Sequence, residues 1–104
     1  MKTYNKLVRD RIPEIIEANG HNCEVRILSE AEYVLELKKK LQEEVAEYLE
    51  EGSIEELADI LEVLHSLAVA YGSSIQSVEE VRLNKASERG SFDNKVFLKT
   101  VDEC

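Results

Sequence analysis

The apolar residues in the middle of the chain recur at three- and four-residue steps, which is the pattern of amphipathic helices. A Ser29-x-x-Glu32 capping box precedes the first run and predicts that a long helix begins there. The apolar stripe of this helix consists of Val34, Leu37, Leu41, Val45 and Tyr48. Gly52 predicts its end, because glycine readily adopts the left-handed conformation that commonly terminates helices.

The next run, from Ile54 to about Tyr71, is apolar on most sides and predicts a central helix. Ser53-x-x-Glu56 offers a second capping box at its start, so Glu56 has a structural role as an alternative to a functional one. One polar stripe interrupts the helix, formed by Asp59, Glu62 and Ser66. Since carboxylates are rarely buried without a partner, we expect a functional site along this stripe.

A short helix is predicted near the N-terminus from Ile12, Ile15 and Ile16, ending at Asn19–Gly20. Asp10 is the candidate N-cap of this helix, and Pro13 is tolerated in its first turn. Residues 21–28 alternate weakly between polar and apolar and are typical of a short extended piece without a sheet partner.

A third main helix is predicted from Ile75 to about Arg89, with Ser73–Ser74 supplying the N-cap and Gly90–Ser91 the end. Phe92 and residues 96–98 are expected to pack the tail back onto the helices. Residues from 100 onward are expected to fray. The pattern as a whole predicts an all-α protein, a helical hairpin plus a third helix, with 1–104 as a single domain.

Composition narrows the function classes. The formal net charge of −9 over 104 residues argues against a nucleic-acid binder and against a basic helix on a membrane surface. The N-terminal residues lack the apolar stretch of a signal peptide, and no apolar run is long enough to span a membrane, so we expect a cytoplasmic protein. Cys23 and Cys104 are expected to be free thiols in that compartment. A chain this small also makes self-association plausible.

Four carboxylates of the predicted hairpin are placed to face one another. Glu44 and Glu47 are three residues apart on the first helix, as are Glu56 and Asp59 on the second, so each pair shares a helix face. At about 1.5 Å per residue, Glu47 and Glu56 lie level beside the turn at Gly52, and Glu44 and Asp59 lie level one turn further away. Such carboxylates repel unless a cation lies between them, and an all-oxygen ligand set suits Mg²⁺ or Mn²⁺.

On the helical projection Lys40 falls along the same edge as Glu44 and Glu47, whereas Glu43 and Glu50 point away into solvent. Two further basic groups accompany the acids. One is the N-terminal Asn5-Lys6-x-x-Arg9, and the other is a ridge on the third helix formed by Arg82, Lys85 and Arg89. Lysine and arginine suit phosphate oxygens, although a solvated segment that offsets the acidic helices explains the N-terminal group equally well. Acids and bases together suit a polyphosphate held by Mg²⁺, with a carboxylate as proton acceptor for water.

Three sequence segments resemble one known family. Glu-Glu-Val-Ala-Glu at 43–47 followed by Glu-Leu-Ala-Asp at 56–59 resembles the E-x-x-E…E-x-x-D signature of the MazG-like superfamily of all-α nucleoside triphosphate pyrophosphohydrolases. The segment 4–16 and the later Lys85-x-x-x-Arg89-Gly-Ser-Phe are similar to its phosphoribosyl-ATP pyrophosphohydrolase-like subgroup. The resemblance spans about residues 4–98.

The resemblance implies a helical fold whose four-helix-bundle core is completed by assembly into a homodimer or homotetramer. It implies Mg²⁺-dependent cleavage of a nucleoside triphosphate or phosphoribosyl-ATP-like substrate between the α and β phosphates, with house-cleaning of non-standard nucleotides as one role. Metal ligands would be Glu44, Glu47, Glu56 and Asp59, with Glu44 and Glu47 as catalytic carboxylates. Substrate contacts would be Lys40, Lys85, Arg89, Asn5, Lys6 and Arg9.

Two other classes compete with this hypothesis. A non-catalytic helical dimerisation or regulatory protein would keep the fold without binding a metal. A redox carboxylate bundle would need two Glu-x-x-His pairs, and Glu62-Val-Leu-His65 supplies that spacing once.

Overall fold

A computed structural model describes residues 2–102 and contains four α-helices and no β-strand within that range. The helices are α1 (Ile12–Ala18), α2 (Glu30–Glu51), α3 (Ile54–Ala70) and α4 (Ile75–Arg89). α2 and α3 form a hairpin across the turn at residues 52–53. Because α4 also contacts α3, α3 lies between α2 and α4. The predicted all-α fold, with a hairpin and a third helix, is confirmed.

The ends of the long helices follow the predicted capping signals. Ser29 Oγ accepts a hydrogen bond from the Glu32 N–H at 3.3 Å, and the Glu32 carboxylate accepts one from the Ser29 N–H at 3.2 Å. Gly52 ends α2 with φ of 69°, a left-handed conformation that costs a residue with a Cβ more than glycine. At the start of α4, Ser74 Oγ accepts from the Ser77 N–H at 3.2 Å. The helix boundaries are therefore set largely by local interactions.

The cap of α2 makes stability depend on pH. Hydrogen bonds that the Glu32 carboxylate accepts from Arg26, from the Ser29 backbone N–H and from the Ser29 hydroxyl lower the pKa of Glu32 to about 2. Because this pKa is depressed in the folded state, the stabilisation is fully present above the unfolded value of about 4.3 and is lost as pH falls through about 2. We expect the melting temperature of wild type to exceed that of Glu32→Gln by a constant amount above pH ~5.

That difference in melting temperature should shrink steadily from pH ~5 towards pH ~2, and high salt should reduce it, because both side chains are exposed. Glu30→Gln, which removes an acid from the same helical turn, serves as the control. A difference between wild type and Glu32→Gln that stays constant down to pH ~2 would contradict the assignment.

The expected Asp10 cap of α1 is wrong. The N-cap is Arg11, and no side chain caps the helix. The Ile12 N–H bonds instead to the Arg9 carbonyl oxygen at 3.1 Å, and Pro13 has no N–H to offer. The donors that an Asp10 cap would satisfy are therefore either occupied or absent.

The expected packing of the tail is also wrong. Phe92 is 98% exposed and Phe97 is 87% exposed, and Val96 and Leu98 are similarly open. α4 buries none of its own residues, so it offers the tail no covered groove within the chain. Apolar side chains in a tail predict burial against some surface, but they do not say that the surface belongs to the same chain.

The described part of the chain has a thin hydrophobic core, in which the buried apolar residues are Leu37, Val63 and Ala68. The accessible surface is 9588 Å², whereas a compact monomer of 11.9 kDa exposes about 6,000 Å². An apolar stripe at helical spacing runs along the outer side of α3 and is 39–79% exposed; it consists of Ile54, Leu57, Leu61 and Leu64. The chain thus leaves open a surface large enough for an obligate interface.

No helix in the described range is both long enough and apolar enough to cross a membrane. Cys23 is a half-buried free thiol, as expected. Cys104 lies outside the described residues.

Candidate metal centre

The hairpin brings carboxylates of α2 and α3 together at the predicted level. Glu44 from α2 and Glu56 and Asp59 from α3 each offer one carboxylate oxygen, and these three atoms lie within 4.8 Å of one another. We call these three residues the acidic cluster. The two-residue turn at Gly52–Ser53 fixes the register of the two helices. This is why Glu44, eight residues before Gly52, meets Asp59, seven residues after Gly52.

Glu44 is the most unusual member of the acidic cluster, since it is a carboxylate only 6% exposed. Its Oε1 lies 3.2 Å from Lys40 Nζ. Its Oε2 is buried and has no hydrogen-bond partner. Leaving a buried neutral polar group unpartnered costs roughly 1–3 kcal/mol, and a charged oxygen costs more. The site therefore favours a cation or a donor beside Glu44.

Glu47, the fourth predicted ligand, is exposed and lies outside the acidic cluster. The negative charge of Glu44 raises the pKa of Glu47, with smaller contributions from desolvation and from Glu43 and Glu56. Glu47 thus lies close enough to the acidic cluster to be repelled by it, at its solvent-facing side.

Glu56 has a capping contact and a place in the acidic cluster at the same time. Ser53 Oγ accepts the Glu56 N–H at 3.2 Å and donates to Glu56 Oε1 at 2.9 Å. The return bond from the Ser53 N–H, which would complete the predicted capping box, is not formed. A carboxylate has two oxygens and about four acceptor positions, so the serine contact leaves Glu56 able to bind a cation.

Lys40 lies beside the acidic cluster, as predicted, with its side chain 19% exposed. It also approaches Glu43 Oε1 at 3.5 Å. Glu43 was predicted to point into solvent, but it has a partner from the N-terminal segment. Lys6 Nζ lies 3.6 Å from Glu43 Oε1. The projection of one helix could not anticipate this, since the partner comes from a distant part of the chain.

Of the predicted N-terminal contacts, Arg9 reaches the acidic cluster. Arg9 Nη2 donates to Asp59 Oδ1 at 2.8 Å, and Nη1 lies 4.0 Å from Glu62 Oε1. Lys6 stops at Glu43, and Asn5 is exposed with a left-handed φ of 44°. Asparagine tolerates that conformation better than most residues.

Lys85 and Arg89 are not brought to the acidic cluster within one chain. Both are exposed on α4, and neither lines the cavity beside the acids. The third member of the predicted basic ridge, Arg82, is held by Glu79 on its own helix. The contact of α4 with α3 does not extend the ridge to the acids.

A cavity of about 280 Å³ opens beside Glu44 and Asp59. The remaining lining comes from the N-terminal segment, α2 and α3 and consists of Leu7, Val8, Arg9, Asp10, Tyr33, Leu37, Lys40, Glu62, Val63 and Ser66. All three members of the polar stripe on α3 thus face this space. Sequence reasoning missed Tyr33 and Asp10. Tyr33 had a signal, because Tyr33, Leu37, Lys40 and Glu44 follow steps of four, three and four along one face of α2.

The donor set fits a hard divalent cation. Three carboxylates converge, one of them carries an orphaned buried oxygen, and no histidine or cysteine belongs to the acidic cluster. Oxygen-only ligands of this kind suit Mg²⁺ and Mn²⁺.

No family model and no solved structure matches the chain. It is similar to an uncharacterized protein of Mycolicibacterium smegmatis, with 57% identity over 42 residues. The match covers 40% of this chain and 43% of that protein, so the chain spans less than half of the length of this relative. No activity follows from this similarity.

Proposed function

We propose that the chain is a Mg²⁺-dependent nucleoside triphosphate pyrophosphohydrolase of the MazG-like superfamily. It would cleave a nucleoside triphosphate or phosphoribosyl-ATP-like substrate between the α and β phosphates, and Mn²⁺ would substitute for Mg²⁺. The observation that carries the proposal is the buried, unpartnered Oε2 of Glu44, on a carboxylate that converges with Glu56 and Asp59.

Each part of the site has a role in this reaction. Glu44, Glu56 and Asp59 would hold the cation, which neutralises phosphate oxygens and activates water when bound. Glu47 stands beside them on the solvent-facing side, where its carboxylate would be placed to accept the proton of the attacking water. Lys40 and Arg9 supply positive charge at the cavity, where the nucleotide would enter.

We further propose that two or four copies of the chain assemble through the open apolar stripe of α3. The excess surface described above supports this, because obligate homo-oligomers bury about 2,000–5,000 Å² at their interfaces. Assembly into a four-helix bundle would also give Lys85 and Arg89 of one copy a route to the acids of another.

Added Mg²⁺ is expected to raise the melting temperature, because a ligand that binds only the folded state stabilises it. At ten times the dissociation constant the gain is about 1.4 kcal/mol, or roughly 5–10 °C for a domain of this size. Differential scanning fluorimetry with and without Mg²⁺ or Mn²⁺ measures this shift, and Na⁺ at matched ionic strength is the control.

The same measurement separates the enzyme from its main alternative, a non-catalytic helical dimerisation or regulatory protein. That protein needs no cation, so its midpoint would not respond to millimolar Mg²⁺ beyond the effect of ionic strength. A screen of nucleoside triphosphates, their deoxy forms and phosphoribosyl-ATP for pyrophosphate release then tests the reaction and its substrate.

A further inference from the structure

The N-terminal segment (residues 2–11) lies across the acids of the hairpin. Its contacts to α2 and α3 include two cationic side chains, Lys6 on Glu43 and Arg9 on Asp59 and Glu62. Between them, Leu7 and Val8 are half-buried and line the cavity. α1, which follows the segment, makes no close contact with another helix. The segment is therefore placed mainly by its contacts at the candidate site itself.

Arg9 and a divalent cation would compete for the carboxylate of Asp59, because two positively charged groups at one carboxylate repel each other. Arg9 donates to Oδ1 of Asp59, one of the three residues of the acidic cluster, at 2.8 Å. Both partners are open to solvent, with the Arg9 side chain 55% exposed and the Asp59 side chain 37% exposed. Ion pairs this exposed contribute little to stability, so a divalent ion can displace the guanidinium easily.

A displaced Arg9 would remain beside the cavity, near Glu62, with the donors that had bound Asp59 available to a ligand. That fork matches the oxygens of a phosphate group, which a guanidinium binds through two parallel hydrogen bonds. Arg9 would then exchange one contact for another, losing Asp59 and gaining a phosphate group.

We propose that Arg9 is an exchangeable counter-ion of the acidic cluster. It pairs with Asp59 and Glu62, yields Asp59 to the divalent cation, and then binds a phosphate group of the nucleotide. The inference rests on the proposed function, because it takes the acidic cluster as the metal site. It differs from a purely structural ion pair, whose removal would lower stability and leave the affinity for metal unchanged.

The test is isothermal titration of Arg9→Gln with Mn²⁺ alone, and then of the Mg²⁺-saturated protein with inorganic pyrophosphate. Removal of the competitor should tighten Mn²⁺ binding about twofold to fivefold. Loss of the guanidinium should weaken pyrophosphate binding at least about tenfold. An exchange therefore predicts that one substitution raises the affinity for Mn²⁺ and lowers the affinity for pyrophosphate.

Arg11→Gln is the matched control. Arg11 belongs to the same segment but pairs with Glu14 at 3.3 Å and does not line the cavity. It should leave both affinities at wild-type values. The exchange is wrong if Arg9→Gln binds Mn²⁺ no more tightly than Arg11→Gln, or if its pyrophosphate affinity equals that of wild type. A wild-type protein that binds no Mn²⁺ overturns the metal site as well, so the two failures are distinguishable.

Discussion

Glu44→Gln is expected to abolish pyrophosphate release while the helices remain folded. The substitution removes one of three converging carboxylates, and an amide oxygen carries no charge to hold Mg²⁺. A metal supplies several kcal/mol of charge stabilisation in phosphate chemistry, and each 1.4 kcal/mol is tenfold in rate, so activity should fall about 10³-fold or more. Asp59→Asn should have the same effect on activity.

Stability should change far less than activity. Glu44 is the main source of the repulsion that raises the pKa of Glu47. Glu44→Gln relieves this repulsion but gives up the ion pair with Lys40, so without added metal it should melt near the wild-type temperature. It should also lose the Mg²⁺-induced rise. Glu50→Gln, an exposed acid of α2 outside the acidic cluster, should retain wild-type behaviour in both assays.

Circular dichroism checks whether each variant remains helical, and release of pyrophosphate from the accepted nucleotide measures activity. Full activity of either Glu44→Gln or Asp59→Asn would rule out the acidic cluster as the catalytic metal site. A Mg²⁺ response that survives in Glu44→Gln would place the metal elsewhere.

The features that the sequence predicted well are those that local interactions decide. The serine N-caps, the glycine at residue 52 and the apolar spacing lie within one or two helical turns, so the boundaries of α2 and α3 could be predicted directly. The meeting of Glu44 with Asp59 was predictable for the same reason. A two-residue turn leaves little freedom in the register of the hairpin, and the positions of the acids then follow from helical rise.

Contacts between distant segments could not be predicted in this way. The hydrogen bond from Arg9 to Asp59 joins residues 50 apart in the chain, and the pattern around Arg9 is equally consistent with a solvated segment. Glu43 was assigned to solvent because its own helix turns it away, and one of its two cationic partners, Lys6, comes from a distant segment. Tyr33 was overlooked because a neighbouring apolar stripe on α2 was the stronger signal.

The prediction that α3 is a central helix is confirmed by its contacts, but much of its apolar surface is exposed rather than buried. It lies between α2 and α4, yet Leu57 is 45% exposed and Leu61 is 51% exposed. Apolar periodicity shows which face avoids water, and it cannot show whether the same chain or another chain covers that face. The open stripe therefore carries information about assembly.

Leu61→Glu is expected to dissociate the proposed oligomer. Leu61 lies in the middle of the apolar stripe of α3, with Leu57 four residues before it and Leu64 three residues after it on the same face. A carboxylate placed in a packed interface loses its hydration without gaining a partner, at a cost of several kcal/mol. Since each 1.4 kcal/mol is tenfold in a dissociation constant, association should weaken at least about a hundredfold.

Light scattering after size-exclusion chromatography measures the effect. Wild type should have at least twice the 11.9 kDa mass of one chain, and Leu61→Glu should shift towards a single chain at micromolar concentration. If folding and association are coupled, the variant should also lose helical circular dichroism, because an obligate oligomer has no stable folded monomer.

Val96→Glu is the control, since it introduces the same charge at an apolar residue that is 86% exposed in the tail, away from the stripe. It should keep the wild-type mass. The interface is misplaced if Leu61→Glu retains the oligomeric mass and Val96→Glu loses it, because the tail rather than α3 would then join the copies. The contrary result is a wild type with the mass of a single chain and full helical content. That result would show that the thin core is enough to keep one chain folded, and that the open stripe of α3 is not an interface between copies.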